Sequence, residues 1–170
     1  MAASALLFQS AVALTDTGYS WGPLALMLLV RSLGQQGDYP RAAAELPHAE
    51  TAYGMRSAVY RPELELARAW TLAAGRDLPG AIAAARQAVT IAEESGQFGI
   101  AILALHDAVR LGDGRIADRA ERIGRQVAGA LAPLVIRHAT ALADRDAVAL
   151  AEVAAEFATR GQLLAAADAA

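Results

Sequence analysis

A chain of 170 residues with 55% hydrophobic side chains is one ordinary domain, able to bury roughly 70% of its unfolded surface. A net charge of -3 argues against a phosphate-binding surface, because nucleic-acid modules normally carry clustered positive charge, so direct contact with nucleic acid is not expected. Cysteine is absent, which rules out disulfides and thiolate metal sites and suits a reducing cytoplasm.

About a quarter of the chain is Ala and only 5% is aromatic, a composition that favours thin, closely stacked helices. All 15 basic residues are Arg, a bias that reads as codon usage in a GC-rich genome. The longest strongly apolar run, residues 24–30, stops at Arg31, far short of the ~20 residues of a membrane span. Residues 1–14 lack the positive flank of a signal peptide. A cytoplasmic protein without membrane contact is expected.

In chain order, Leu6, Leu7, Ala11 and Leu14 predict a helix over 3–16, followed by a loop over 15–22. Pro23 opens the next helix, which runs to about Gly37, and its partner covers 40–53 with Gly54 as C-terminal cap. A second hairpin pairs 62–74 with 79–95; Asp38 and Asp77 each stand two residues before a proline, as N-terminal caps would. A third, looser pair spans 98–130, broken at Gly112-Asp113-Gly114 and resuming at Ile116, Ala120, Ile123 and Val127. A fourth covers 133–160 with its turn at Asp144-Arg145-Asp146, and a last helix begins after Arg160-Gly161-Gln162 and is cut at Ala170, as in a fragment of a longer multidomain protein.

The first two hairpins repeat. A shift of about 39 residues lays Pro23 on Pro62, Leu33 on Leu72, Asp38 on Asp77, Pro40 on Pro79, Ala42 on Ala81 and Ala49 on Ala88. The expected fold is therefore all-α: one domain over 1–170, an α-α superhelix of antiparallel hairpins, about nine helices plus a truncated one. The small residues Ala42, Ala49, Ala81 and Ala88, with Leu26, Leu29 and Leu33 as a packing stripe, resemble the tetratricopeptide pattern, although the period is longer than its 34 residues and its Trp and terminal Pro are missing.

Three further stretches carry a narrower resemblance: Arg61-Pro62-Glu63-Leu64-Glu65-Leu66-Ala67-Arg68-Ala69-Trp70, the run from Ala101 through His106-Asp107 to Gly112, and Phe157-Ala158-Thr159-Arg160-Gly161. They resemble the tetratricopeptide-like region of large actinobacterial LuxR-family transcriptional regulators of the maltose-regulator type. That resemblance implies an ATPase module ahead of the repeats and a helix-turn-helix behind them. ATP would then be handled by the parent protein and no cofactor by this segment, since a chain without Lys has no phosphate-binding Gly-Lys-Ser/Thr loop. Partners would be the other domains of the regulator and an effector protein or small molecule, with a homodimer of the segment also expected.

In such repeats the first helix of each pair lines the groove. Counting back from Asp38, Asp77 and Asp113 puts Arg31, Trp70 and His106 at equivalent positions, with Met27, Leu66 and Ile102 as the neighbouring row. A cation, an indole and an imidazole on an apolar ledge could hold an anionic or aromatic effector, or a peptide. The simpler reading makes Trp70 a packing anchor between repeats and gives Arg31 a carboxylate partner.

Other signals are weaker. His48, His106 and His138 lack metal-ligand spacing, and His106-Asp107 point roughly 100° apart on a helix, so neither a metal site nor a catalytic residue is expected. Arg115, Arg119, Arg122 and Arg125 form a helical stripe interrupted by Asp118 and Glu121, best read as a salt-bridged face. The functional expectation is a non-catalytic sensor and coupling domain of a LuxR-family regulator; the alternative is a free-standing adaptor scaffold.

Overall fold

The computed structural model describes residues 21–170 together with Leu6 and Gln9, so the helix expected over 3–16 lies outside the described residues. Nine α-helices follow: α1 (Gly22–Gln35), α2 (Tyr39–Ala52), α3 (Arg61–Ala74), α4 (Leu78–Glu94), α5 (Phe98–Arg110), α6 (Ala117–Gly124), α7 (Leu131–Asp144), α8 (Ala147–Thr159) and α9 (Leu163–Ala169). Short 3-10 segments, Met55–Tyr60 and Gly114–Ile116, precede α3 and α6, and no strand occurs among the described residues. No helix among them is long and apolar enough to cross a membrane. The chain divides into two compact units, Met1–Ile91 and Ala92–Ala170.

One turn recurs. After α1, Gly37 takes a left-handed conformation (φ +75°); its N–H donates to the Gly34 carbonyl at 2.9 Å, and the N–H of Asp38 donates to the Leu33 carbonyl at 3.0 Å. After α3, Arg76 (φ +66°) donates to Ala73 and Asp77 to Leu72, each at 2.9 Å. The same pair of bonds closes α4 through Gly96 and Gln97, α5 through Gly112 and Asp113, α7 through Arg145 and Asp146, and α8 through Gly161 and Gln162. Two carbonyls left open by each helix end are thereby satisfied within the turn.

The residue that ends one helix also starts the next. Asp38 Oδ1 accepts from the Arg41 N–H at 3.3 Å, Asp77 Oδ1 from Gly80 at 3.0 Å, and Asp113 Oδ1 from Arg115 at 3.2 Å. Asp146 Oδ1 takes both Val148 (3.0 Å) and Ala149 (3.1 Å). Each such cap is worth about 1 kcal/mol. Gln97 and Gln162 occupy the same place without a side-chain cap.

Two connections depart from this rule. Between α2 and α3, Tyr53 is extended and Gly54 has φ −156°, so Gly54 is not the left-handed terminator expected from the sequence. Instead the buried Ser57 hydroxyl accepts from the Gly54 N–H at 2.8 Å and donates to the Gly54 carbonyl at 3.0 Å, starting the 3-10 segment. α6 ends at Gly124 rather than continuing through Val127. A Cβ on Gly124 would stand 2.6 Å from Ile136 Cδ1, so α6 and α7 approach through the space that a side chain would fill.

In the first unit, Met27 and Val30 of α1 pack with Ala49 of α2 and with Leu64 and Ala67 of α3. Ala42 seals against Leu29 and Leu33. Ala42, Ala49, Ala81 and Ala88 are all fully buried, and their small size is what lets neighbouring backbones approach. The core of the second unit gathers Leu134 of α7, Val153 and Phe157 of α8, and Ala165 and Ala169 of α9. α9 is held by the buried Ala165 and Ala169, with Ala166 packed against the same core, and by Asp168, which meets Arg110 of α5 at 2.6 Å.

Candidate functional site

The six positions singled out from the sequence stand where the turn register puts them. Arg31 on α1, Trp70 on α3 and His106 on α5 sit at one offset before Asp38, Asp77 and Asp113, with Met27, Leu66 and Ile102 one turn earlier on the same helices. Met27, Leu66 and Ile102 are buried, and Trp70 and His106 are each 8% exposed. Arg31 is half-buried. Among these, Met27 belongs to the α1/α2/α3 core.

In the first unit the charged groups near this row come from α1, α2 and α3. Burial raises the carboxyl of Glu63 above its ordinary value, against its own backbone hydrogen bond and the field of Arg31, which both lower it. Glu63 Oε2 is buried and has no hydrogen-bond partner. Arg31 of α1 thus offsets only part of the desolvation of Glu63 on α3. On the adjoining turn, Arg68 bridges Glu50 of α2 (Nε to Oε1, 2.8 Å) and the buried Glu65 of α3 (2.7 Å).

In the second unit His106 stacks on Phe157, with ring centroids 4.9 Å apart and planes at 15°. His138 of α7 meets both rings edge-on, at 6.1 Å from His106 and 5.8 Å from Phe157. His138 is buried and its Nδ1 has no hydrogen-bond partner. Burial pushes its pKa down from 6.5 to about 4; Asp168 acts to raise it and Arg110 to lower it further. One helical turn from His106, the buried Arg110 donates to Asp107 Oδ1 at 3.2 Å and to Asp168 Oδ2 of α9 at 2.6 Å. This cluster sets two imidazoles against one aromatic ring, beside an arginine that pairs with the buried Asp107 and with Asp168. The sequence reading judged His48, His106 and His138 together only for metal-ligand spacing; nothing in the spacing of His106 and His138 announces that α5 and α7 bring them together.

The arginine stripe of α6 is neutralised. Arg119 donates to Glu93 at 2.9 Å, Arg122 also pairs with Glu93, and Arg125 reaches Glu121 at 3.7 Å. Those guanidinium partners hold the Glu93 carboxyl below its usual range. A cleft of about 250 Å³ lies between α7 and α8, lined by Ile136, Arg137, Thr140, Asp144, Glu152 and Val153. Arg137 spans it to Glu156 at 2.5 Å and Glu152 at 3.9 Å. Among the described residues no group of three or more His, Cys, Asp or Glu is placed to hold a metal ion. No family model, no curated protein and no solved structure matches this chain.

Proposed function

We propose that this chain is a non-catalytic binding and coupling module, a tetratricopeptide-like helical array that serves a LuxR-type transcriptional regulator by sensing an effector or partner. The observation that carries this reading is the recurrence of one turn after α1, α3, α4, α5, α7 and α8. Serial helices joined by one repeated, tightly bonded turn are the building plan of scaffolds that present side chains in register, and such scaffolds bind rather than catalyse. Arg31 and Trp70 stand at one offset before Asp38 and Asp77, which supports a site in the first unit that meets an anionic or aromatic ligand when neighbouring helices shift.

The test has two parts. The reading frame around this segment is expected to encode an ATPase module before it and a helix-turn-helix after it; an isolated frame would turn the reading to an adaptor scaffold. The chain is then titrated with benzoate and with indole-3-acetate while Trp70 fluorescence is followed in a Trp21→Phe background. A saturable change lost in Arg31→Ala supports the effector-binding row, and a flat response to both probes counts against it.

A further inference from the structure

We infer that the cleft between α7 and α8 is a binding site for a small α,ω-diamine, a dication whose apolar chain joins two ammonium groups. Its walls come from one stripe of each helix: Ile136, Thr140 and Asp144 follow one another at helical spacing on α7, and Asp146, Ala149 and Val153 do so along α8. Ile136, Ala141, Ala149 and Val153 make the floor apolar, and Ala141 and Val153 are buried. At about 250 Å³ the cleft is smaller than the ~300–1,000 Å³ of sites for drug-sized molecules, so its ligand is compact.

Charge sets the class of ligand. The carboxylates of Asp144, Asp146 and Glu152 line the cleft against the one guanidinium of Arg137. Asp146 is engaged in capping α8, and Arg137 is answered by Glu156 at 2.5 Å, which Arg160 also holds at 2.8 Å. The Asp144 carboxylate has no ion-pair or hydrogen-bond partner among the described residues, and Glu152 meets Arg137 only at 3.9 Å.

Thr140 is an independent sign. The other described threonines, Thr51, Thr71, Thr90 and Thr159, donate their hydroxyls to the carbonyl one turn back at 2.8 to 3.1 Å. Thr140 does not, and its hydroxyl stands open in the cleft one turn from Asp144. Hydroxyl oxygen and carboxylate together accept from one ammonium group. Along α8, Glu152 stands about 9 Å beyond Asp146 by helical rise and takes the second ammonium, while the chain between them lies on Ala149 and Val153. A metal ion fits less well: no group of three or more His, Cys, Asp or Glu is placed to hold one among the described residues, and a hydrated ion has no use for an apolar floor. The site lies wholly within the second unit, apart from Arg31 and Trp70, and requires nothing of the regulator reading.

The experiment titrates the whole chain by calorimetry at low ionic strength with cadaverine and with pentylamine. Cadaverine should bind saturably and roughly tenfold more tightly than pentylamine, because its second ammonium adds a charge-assisted bond. Asp144→Asn should weaken cadaverine roughly tenfold, Thr140→Val roughly fivefold, and Glu152→Gln should bring it to the level of pentylamine. Glu94→Gln removes an exposed carboxylate of α4 outside the cleft and should change nothing. No heat with cadaverine, equal affinity for the two amines, or a loss in Glu94→Gln as large as in Asp144→Asn overturns the inference, the last by making the attraction a diffuse one to an acidic surface. Thr140, Asp144 and Glu152 are exposed, so each variant is expected to fold. Should one not, NMR on the unaltered chain decides: cadaverine should move amide resonances of α7 and α8 and leave those of α1 to α3 in place, and the reverse pattern would contradict the site.

Discussion

Gly34 of α1 lies against the backbone of Trp70 in α3: a Cβ built on Gly34 would stand 2.6 Å from both the carbonyl carbon and the carbonyl oxygen of Trp70. The two helices are in contact at the main chain, and the indole, whatever else it does, projects from a residue whose own backbone is fixed there.

Gly34→Ala therefore forces α1 and α3 apart and should cost about 1–3 kcal/mol, because backbone cannot move aside as a flexible side chain can. Gly99 near the start of α5 is the control: a Cβ there meets nothing within 4 Å, and Gly99→Ala should stabilise by about 0.5–1 kcal/mol. Urea denaturation of both variants checks the pair; equal effects of one sign would contradict the close approach.

The recurring turn makes its own forecast. Arg76 and Arg145 hold positive φ where Gly stands at the other turns, so Arg76→Gly and Arg145→Gly should each raise stability by about 0.5–1 kcal/mol. Gln162→Asp should add a cap to α9 of similar worth, as Asp146 supplies to α8. Thermal melts of the three variants read this directly, and a loss of stability at both arginine positions would argue against the turn.

Ala42 and Ala81 have no room for a larger side chain. Replacing either with Leu should overpack the helix contact and cost about 1–3 kcal/mol. Unchanged melting temperature in both would remove the basis for equating the two positions.

His138 gives the second unit a pH dependence. Its folded pKa is near 4 and its unfolded value 6.5, so below 6.5 the unfolded chain binds the proton more readily than the folded one. The contribution is complete above pH 6.5 and falls as pH drops toward 4, by at most about 1.4 kcal/mol per pH unit. Denaturant unfolding between pH 7 and pH 4 should show this slope, and His138→Phe, which stays neutral, should flatten it.

What the sequence disclosed was local chemistry. Asp38 and Asp77 were legible as caps because the capping bond spans only a few residues and the Asp-x-Pro spacing advertises it. The close-packing alanines were legible because the repeat aligned them. Other features needed the third dimension. The close approach of Ile136 to Gly124 and the pair of hydrogen bonds between Ser57 and Gly54 before α3 are visible only in the folded chain. An apolar stripe on a helix looks the same whether a neighbour covers it or a ligand does, so the burial of Met27, Leu66 and Ile102 could not be read from periodicity. The meeting of His106, His138 and Phe157 rests on α5 packing with the later hairpin of α7 and α8.

The most direct test of the repeated turn is an NMR measurement at the two positions where it is least expected, Arg76 and Arg145. Backbone couplings should give positive φ at both residues, and through-hydrogen-bond couplings should join the Asp77 N–H to the Leu72 carbonyl and the Asp146 N–H to the Ala141 carbonyl. A negative φ at either arginine, or a bond displaced by one residue, would contradict the common turn and with it the register on which the hairpin array and its equivalent positions depend.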